Sequence, residues 1–195
     1  MSKRKKAWQQ FCDEAGATYV KGGVLKSDRI EASFQGWPIV YDTMAIPAGN
    51  VILIYTRLRA PFLAKSDFKF RISKKSFLTK FAEKIGKSKL KTGDPRIDDN
   101  FLIKHNSDEK IRQLLSGEKL KEHLLEKTKS HFELSHGYKS VGRQFPKGCD
   151  GLSLVVLYEG GDKDRLMLFH NLIGEMLVAL AEAGEIDAAP DVKLK

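Results

Sequence analysis

The sequence predicts an α+β protein: an antiparallel sheet flanked by helices, with a long C-terminal helix packed on the sheet. Stretches that alternate apolar and polar residues are grouped between residues 17 and 72 and joined by tight turns, which favours antiparallel pairing. Residues 162–183 carry apolar side chains around most of a helical circumference, which is typical of a helix buried on several sides. Helices and strands do not alternate one by one, so the pattern favours α+β over a parallel α/β fold.

The first predicted helix covers residues 3–15. Trp8, Phe11 and Cys12 fall on one helical face, and Gly16 provides a stop signal. We interpret Cys12 as a small buried apolar residue, because it shares that face.

Strands follow this helix. We predict turns at Gly22–Gly23 and Gln35–Gly36 and a strand in the apolar, β-branched run 51–59. The stretch 68–72 also alternates, with Phe68, Phe70 and Ile72 toward the core and Lys69 and Arg71 away from it.

The second half of the chain predicts further elements in a mixed order. Asn106 and Glu109 have the spacing of a capping box and predict the start of a helix, and Gly117 separates it from a second helix. The remaining elements are a turn at Asp94–Pro95, short strands at 101–104, 131–135 and 152–159, and the final helix at 162–183.

The chain of 195 residues predicts a single α+β domain over residues 1–188, with a flexible tail at 189–195. Cys12 and Cys149 form no C-x-x-C pair, which suits a reducing compartment. The charged N-terminus lacks the apolar stretch of a signal peptide. His170, Gly174 and Glu175 interrupt the longest apolar region, so we do not predict a membrane helix. These features predict a cytoplasmic location.

Positive charge is concentrated in residues 57–91, which we call the basic segment. It holds twelve Lys or Arg against two acidic residues, whereas the whole chain has a net charge of +9. This concentration predicts a surface for an anionic partner. The predicted binding residues are Arg57, Arg59, Lys69, Arg71, Lys74, Lys75, Lys80, Lys84, Lys87 and Lys89.

Part of the basic segment, RISKKSFLTKFAEKIGKSKLK at 71–91, has the pattern of a basic amphipathic helix. Phe77, Phe81 and Ile85 recur at helical spacing among the lysines. Such a helix can lie at an anionic membrane surface, where each lysine adds about 1 kcal/mol. The alternative is an ordinary helix whose apolar side packs on the sheet while its lysines face water.

Nucleic acid is an alternative partner for the same residues. Lys69 and Arg71, together with Arg57 and Arg59 on a neighbouring strand, would offer a positive sheet face to phosphates. An RNA-binding sheet of the recognition-motif type would display aromatic residues beside these cations. Here the aromatic residues of 68–72 alternate toward the core, so this hypothesis is the weaker one.

The sequence predicts no catalytic residue, metal site or cofactor. It contains no nucleophile elbow, P-loop or metal-binding histidine motif, and His131 and His136 would point to opposite faces of a strand. An enzyme of unidentified chemistry near His170 or Cys149 remains an alternative. An accessible pocket at either residue would favour it, and burial of His170 would argue against it.

Residues 92–115 resemble a segment found in a family of bacterial proteins of unknown function. The segment has the pattern G-x-P-x-[FI]-D-x-x-F, followed by a strand and a helix that ends in paired leucines. The matching residues are Gly93, Pro95, Ile97, Asp98, Phe101, Leu114 and Leu115. The resemblance implies a bacterial source and a structural role, in which Pro95 turns the chain while Ile97 and Phe101 enter the core. It implies no activity.

Together these observations predict a non-enzymatic binding module that presents residues 57–91 to an acidic protein or to the inner membrane surface. The protein would be cytoplasmic and peripheral to that membrane. A homodimer formed through the C-terminal helix is a further expectation, because that helix is apolar on most sides.

Overall fold

A computed structural model describes residues 2–23, 27–75, 92–126, 132–137, 145 and 149–188, with side chains at 132 and 133 excepted. These residues form nine strands: β1 (Thr18–Val20), β2 (Arg29–Phe34), β3 (Trp37–Ala48), β4 (Val51–Ala64), β5 (Phe70–Lys74), β6 (Phe101–His105), β7 (Phe132–His136), β8 (Asp150–Leu157) and β9 (Ile186–Ala188). The same residues form five helices: α1 (Lys3–Ala15), α2 (Pro95–Asn100), α3 (Asp108–Leu114), α4 (Glu118–Leu125) and α5 (Lys163–Glu182).

All nine strands belong to one antiparallel sheet in the order β1-β2-β3-β4-β8-β7-β5-β6. The ninth strand, β9, pairs with the end of β4 on the side opposite β8, because Phe62 is paired with both Asp150 and Ala188. The predicted α+β class, with an antiparallel sheet and a long C-terminal helix, is confirmed.

A row of apolar side chains crosses the sheet from β2 to β6. Each member is paired with the next and is at most 3% exposed. The row consists of Ile30, Tyr41, Leu58, Leu154, Leu134, Ile72 and Ile103. It belongs to the core cluster that also contains the buried residues of the helices, and we call this side of the sheet the inner face. The opposite side is the outer face.

Helix α5 lies in this core. Nine of its residues are buried, among them His170, Gly174 and Leu177. The side chain of Asp162 caps the helix by accepting hydrogen bonds from the backbone N–H groups of Asp164 and Arg165. The apolar circumference that suggested a dimer contact therefore serves, over much of its area, the protein's own core.

Local sequence signals set the ends of several elements as predicted. Helix α1 spans Lys3–Ala15 and ends at Gly16 in the left-handed conformation. Gln35 and Gly36 both have positive φ, 47° and 86°, and join β2 to β3 as a two-residue turn between the paired residues Phe34 and Trp37.

Two elements differ from the sequence prediction. Residues 95–100 form the short helix α2 where a turn was expected, because Asp94 accepts a hydrogen bond from Arg96 N–H and Pro95 suits the first helical turn. Residues 186–188 form β9, whose Ile186 is buried. Both segments are too short to show a hydrophobic period.

The predicted cap of α3 is also wrong by one residue. Ser107, rather than Asn106, caps the helix by accepting from Lys110 N–H. The side chain of Asn106 instead accepts from Lys69 N–H and donates to the carbonyl of Asp67. Asn106 therefore fixes the loop before β5.

We expect Gly174→Ala to destabilise the protein, although Gly→Ala inside a helix usually stabilises by about 1 kcal/mol. A Cβ at this position would lie 2.2 Å from Phe34 Cγ, so the ring or the helix must move. The expected loss in free energy of unfolding is roughly 1–3 kcal/mol, measured by chemical denaturation.

The matched control for Gly174→Ala is the same change in a Phe34→Ala background. Without the ring the added methyl group should be neutral or stabilising. An equal loss in both backgrounds would contradict the proposed clash.

Candidate functional site

Several of the predicted anion-binding residues lie on the outer face of the sheet. Arg71 and Arg59 belong to one cross-strand row, with Ser135 and Ser153 between them. The expectation that Arg57 and Arg59 lie on a strand next to Lys69 and Arg71 is wrong, because β8 and β7 separate β4 from β5. The chain crosses the sheet after β4 instead of forming a hairpin.

Arg57 and Arg59 share a carboxylate. Arg57 Nε donates to Asp42 Oδ1 at 2.8 Å, and Nη2 atoms of Arg57 and Arg59 lie 2.6 and 2.8 Å from Asp42 Oδ2. The Arg59 side chain is only 4% exposed. Burial lowers the pKa of Arg59, and the negative charge of Asp42 opposes that shift. Both guanidinium groups therefore contribute to an internal ion-pair cluster.

The other predicted cations have different surroundings. Lys69 is exposed and its side chain lies against Gly137, whereas Arg71 and Lys74 are partly buried. Lys75 Nζ donates to the carbonyl of Asp98 at 2.7 Å. Lys80, Lys84, Lys87 and Lys89 lie outside the described residues, and so does the predicted helix that contains them. The role of residues 76–91 stays a prediction.

The segment 92–101 packs against the core through two apolar residues. Ile97 and Phe101 are buried in the core. The carboxylate of Asp98 accepts hydrogen bonds from Thr92 N–H, Thr92 Oγ1 and Gly93 N–H, and so closes the loop before α2. This arrangement holds the segment against the core.

His170 is buried at 5% exposure between aromatic rings. Its Nδ1 lies 2.7 Å from Tyr41 Oη, and its ring contacts Phe11 and Phe34. Burial lowers the pKa of His170, while a backbone hydrogen bond with Ser33 opposes the shift. An imidazole in this environment is positioned for packing rather than for contact with a substrate, which removes the main support for an enzyme at His170.

The remaining candidates for chemistry are dispersed. Cys149 is a partly buried free cysteine, His136 is buried, and His131 lies outside the described residues. Within the described ranges no group of three or more His, Cys, Asp or Glu side chains could hold a metal ion.

The structure reveals a surface that the charge analysis overlooked, the tip of the β3–β4 hairpin. Residues 43–56 contain no charged residue. Strand β2 pairs with β3 only as far as Tyr41, and β8 pairs with β4 only from Tyr55 onward. Residues 45–54, which we call the apolar hairpin, therefore extend beyond both neighbouring strands.

The tip of the apolar hairpin is exposed to solvent. Val51 is 58% and Ile52 is 66% exposed, the two highest values among the large apolar residues described. Gly49 and Asn50 form the turn between them and β3. The sequence predicts a strand over this apolar run but not its exposed tip, because apolar, β-branched composition alone does not show where the neighbouring strands end.

A basic cluster lies beside this hairpin. Lys3, Arg4, Lys5 and Lys6 form the exposed first turn of α1, which contains no acidic residue. Lys3 lines a hollow of about 520 Å³ together with Ile52, Leu53 and Ile54, so the start of α1 adjoins the apolar hairpin. Cations at a helix N-terminus oppose the helix dipole, at a cost of roughly 0.3–1 kcal/mol each.

No match emerges when the chain is compared with protein-family models, with curated proteins or with solved structures. Among the described residues, no helix has the length and apolar character needed to cross a membrane.

We expect Asp42→Asn to reduce the free energy of unfolding by about 3 kcal/mol, because it leaves the buried guanidinium of Arg59 without this carboxylate. Urea denaturation measures the loss. Glu31→Gln is the control, since the Arg29–Glu31 pair is 29% and 47% exposed and should contribute less than about 1 kcal/mol. Equal losses in both variants would show that the Asp42 cluster has no special role in stability.

We expect His170 to make folding less stable in mild acid. Because its folded-state pKa lies below its ordinary value of 6.5, the unfolded chain takes up a proton first as the pH falls below 6.5. The contribution of neutral His170 to the free energy of unfolding is thus complete above that pH. Below it the free energy of unfolding declines, by at most about 1.4 kcal/mol per pH unit.

Denaturation curves of the wild type and of His170→Gln between about pH 7.5 and pH 5 measure this contribution. The wild type should lose stability more steeply than the variant over that range. Parallel pH profiles would exclude His170 as the source.

Proposed function

We propose that this protein attaches to an anionic membrane surface, with the apolar hairpin entering the lipid interface and the basic start of α1 contacting the lipid head groups. The observation that carries the proposal is the pair of exposed aliphatic residues Val51 and Ile52 at the tip of a charge-free hairpin. The setting we propose is the cytoplasmic face of a bacterial inner membrane. In this proposal the protein acts as a peripheral binding module without catalysis.

The shape of the apolar hairpin favours lipid over a protein partner. Val51 and Ile52 are consecutive in a strand, so their side chains point to opposite faces of the hairpin. A protein surface would cover one face and leave the other in water. Lipid chains surround an inserted tip on both faces, which suits a hairpin that carries aliphatic side chains on both faces and no charge.

We expect the protein to bind the membrane weakly enough that the attachment is reversible. Moving Val51 and Ile52 from water into an apolar environment contributes roughly 1.5–3 kcal/mol each at full burial. Each lysine close to an anionic leaflet adds about 1 kcal/mol. The sum fits a protein that binds and leaves the surface, comparable to a single acyl anchor.

The charge at the start of α1 supports the same surface. Four cations in the first turn of a helix weaken it through the dipole, so their presence is not explained by helix stability. A negatively charged membrane beside the hairpin would offset that cost. The lysines of residues 76–91 would add to the attraction if they face the same side.

The test is co-sedimentation with phosphatidylcholine vesicles, with and without phosphatidylglycerol, at physiological salt. Wild type should bind the anionic vesicles selectively. Val51→Asp with Ile52→Asp should abolish binding, because two carboxylates cannot enter the interface at low cost. Leu63→Asp is the matched control, since Leu63 is a 42% exposed apolar residue at the other end of β4.

The basic cluster is tested by Lys5→Glu with Lys6→Glu, which should weaken binding while leaving α1 as stable as before or more so. Lys69→Glu with Lys104→Glu removes two exposed lysines elsewhere and should bind like wild type. If only the variant with Lys69→Glu and Lys104→Glu lost binding to vesicles, the membrane contact would lie on the surface that carries these two lysines. Binding to nucleic acid but not to vesicles would overturn the proposal, and so would vesicle binding by the Val51 and Ile52 variant.

A further inference from the structure

The hollow beside the apolar hairpin has the size and lining of a binding site. Its volume is about 520 Å³, which lies within the range of small-molecule sites. It is bounded by the hairpin, by the first turn of α1 and by Gly161 at the start of α5. It opens beside the residues that we propose to enter the lipid interface.

One wall of the hollow is apolar. Ile52, Leu53 and Ile54 of the hairpin line it together with Leu157 of β8. Ile52 and Ile54 lie two residues apart in β4, so their side chains share the inner face with Leu58, whereas Leu53 and Leu157 lie on the outer face. An alkyl chain lying against the hairpin would therefore contact apolar residues along this wall.

The opposite side carries positive charge. Lys3 and Arg165 line the hollow, and the Arg165 guanidinium lies 4.6 Å from the centre of the Tyr158 ring. The hydroxyl of Tyr158 donates to the carbonyl of Asp162 at 2.7 Å, which fixes the ring. Arg165 is thus held over an aromatic platform instead of extending freely into water.

Two carboxylates also line the hollow. Asp162 is engaged as the cap of α5, where its Oδ1 accepts from two backbone N–H groups. Glu159 is exposed. The side chain of Arg4 lies outside this lining, beside Gly160 and over the ring of Trp8.

We infer that this hollow binds a single phospholipid, with the phosphate between Lys3 and Arg165 and an acyl chain along Ile52 and Ile54. The inference rests on the proposed membrane attachment and deepens it, because it specifies which part of the lipid the protein recognises. Attachment through the hairpin tip does not require it.

The test uses lipid below its critical micelle concentration, so that no bilayer is present. Dihexanoyl phosphatidylglycerol is titrated into the 15N-labelled protein, and the backbone amide signals of Gly161 and Arg165 are followed. Saturable shifts are expected at these positions. Inorganic phosphate and dihexanoylglycerol, each offering one half of the ligand, should bind much more weakly.

Arg165→Gln should weaken binding of the short-chain lipid about tenfold, as expected for the loss of a charge-assisted hydrogen bond. Lys3→Gln, on a different element, should also weaken it, and Lys104→Gln is the matched control with no expected effect. If inorganic phosphate bound as tightly as the short-chain lipid, the hollow would be a site for a small anion. If dihexanoylglycerol bound as tightly as the short-chain lipid, the hollow would be a purely apolar site. Either result overturns the inference, as does unchanged binding by Arg165→Gln.

The vesicle experiment separates this inference from the proposed function. If the short-chain lipid does not bind while the apolar hairpin still mediates binding to vesicles, the lipid site is absent and the attachment stands. If the Val51 and Ile52 variant binds vesicles normally, the attachment through the hairpin is wrong and the inference falls with it.

Discussion

The buried cross-strand row on the inner face is the constraint on which the rest of the structure depends. Seven apolar side chains from Ile30 to Ile103 meet across seven consecutive strands, and each contributes roughly 1.5–3 kcal/mol by burial. A slip of one residue in any strand would turn its apolar member to the other face. The row therefore also fixes which residues occupy the outer face, including Arg59 and Arg71.

Local signals explain how much of the fold could be predicted. The positive φ values at Gln35 and Gly36, the left-handed Gly16 and the cap at Asp162 all follow from residues next to one another in sequence. The order of the strands in the sheet does not follow from such local signals. Strand β4 ends at Ala64 and its partner β8 begins only at Asp150, and nothing in the pattern of either strand specifies the other. The fold class and the ends of several helices and strands were thus predictable from the sequence. Which strands lie next to each other in the sheet was not.

The same distinction explains the outcome for the charged residues. Counting lysine and arginine along the chain identified residues 57–91, but the count treats every cation as exposed. Arg57 and Arg59 both pair with Asp42, which lies on the preceding strand and meets them only through the β3–β4 register. The exposed hairpin escaped prediction for the converse reason. Val51 and Ile52 belong to a run that the sequence predicts only as an apolar strand, and the limits of β2 and β8 show that nothing described covers them.

Two local features of this protein conflict with stability, and they lie side by side. The first turn of α1 places four cations where a helix prefers negative charge, and the β3–β4 hairpin exposes aliphatic side chains where a globular protein prefers polar ones. Sequences that fold well are consistent across levels, and departures concentrate where function requires them. A single surface that is both anionic and apolar would pair with the cations of α1 and at the same time bury the aliphatic side chains of the hairpin. A membrane interface has that composition, which is why we propose this corner of the molecule, rather than the larger count of charge on the basic segment, as the binding surface.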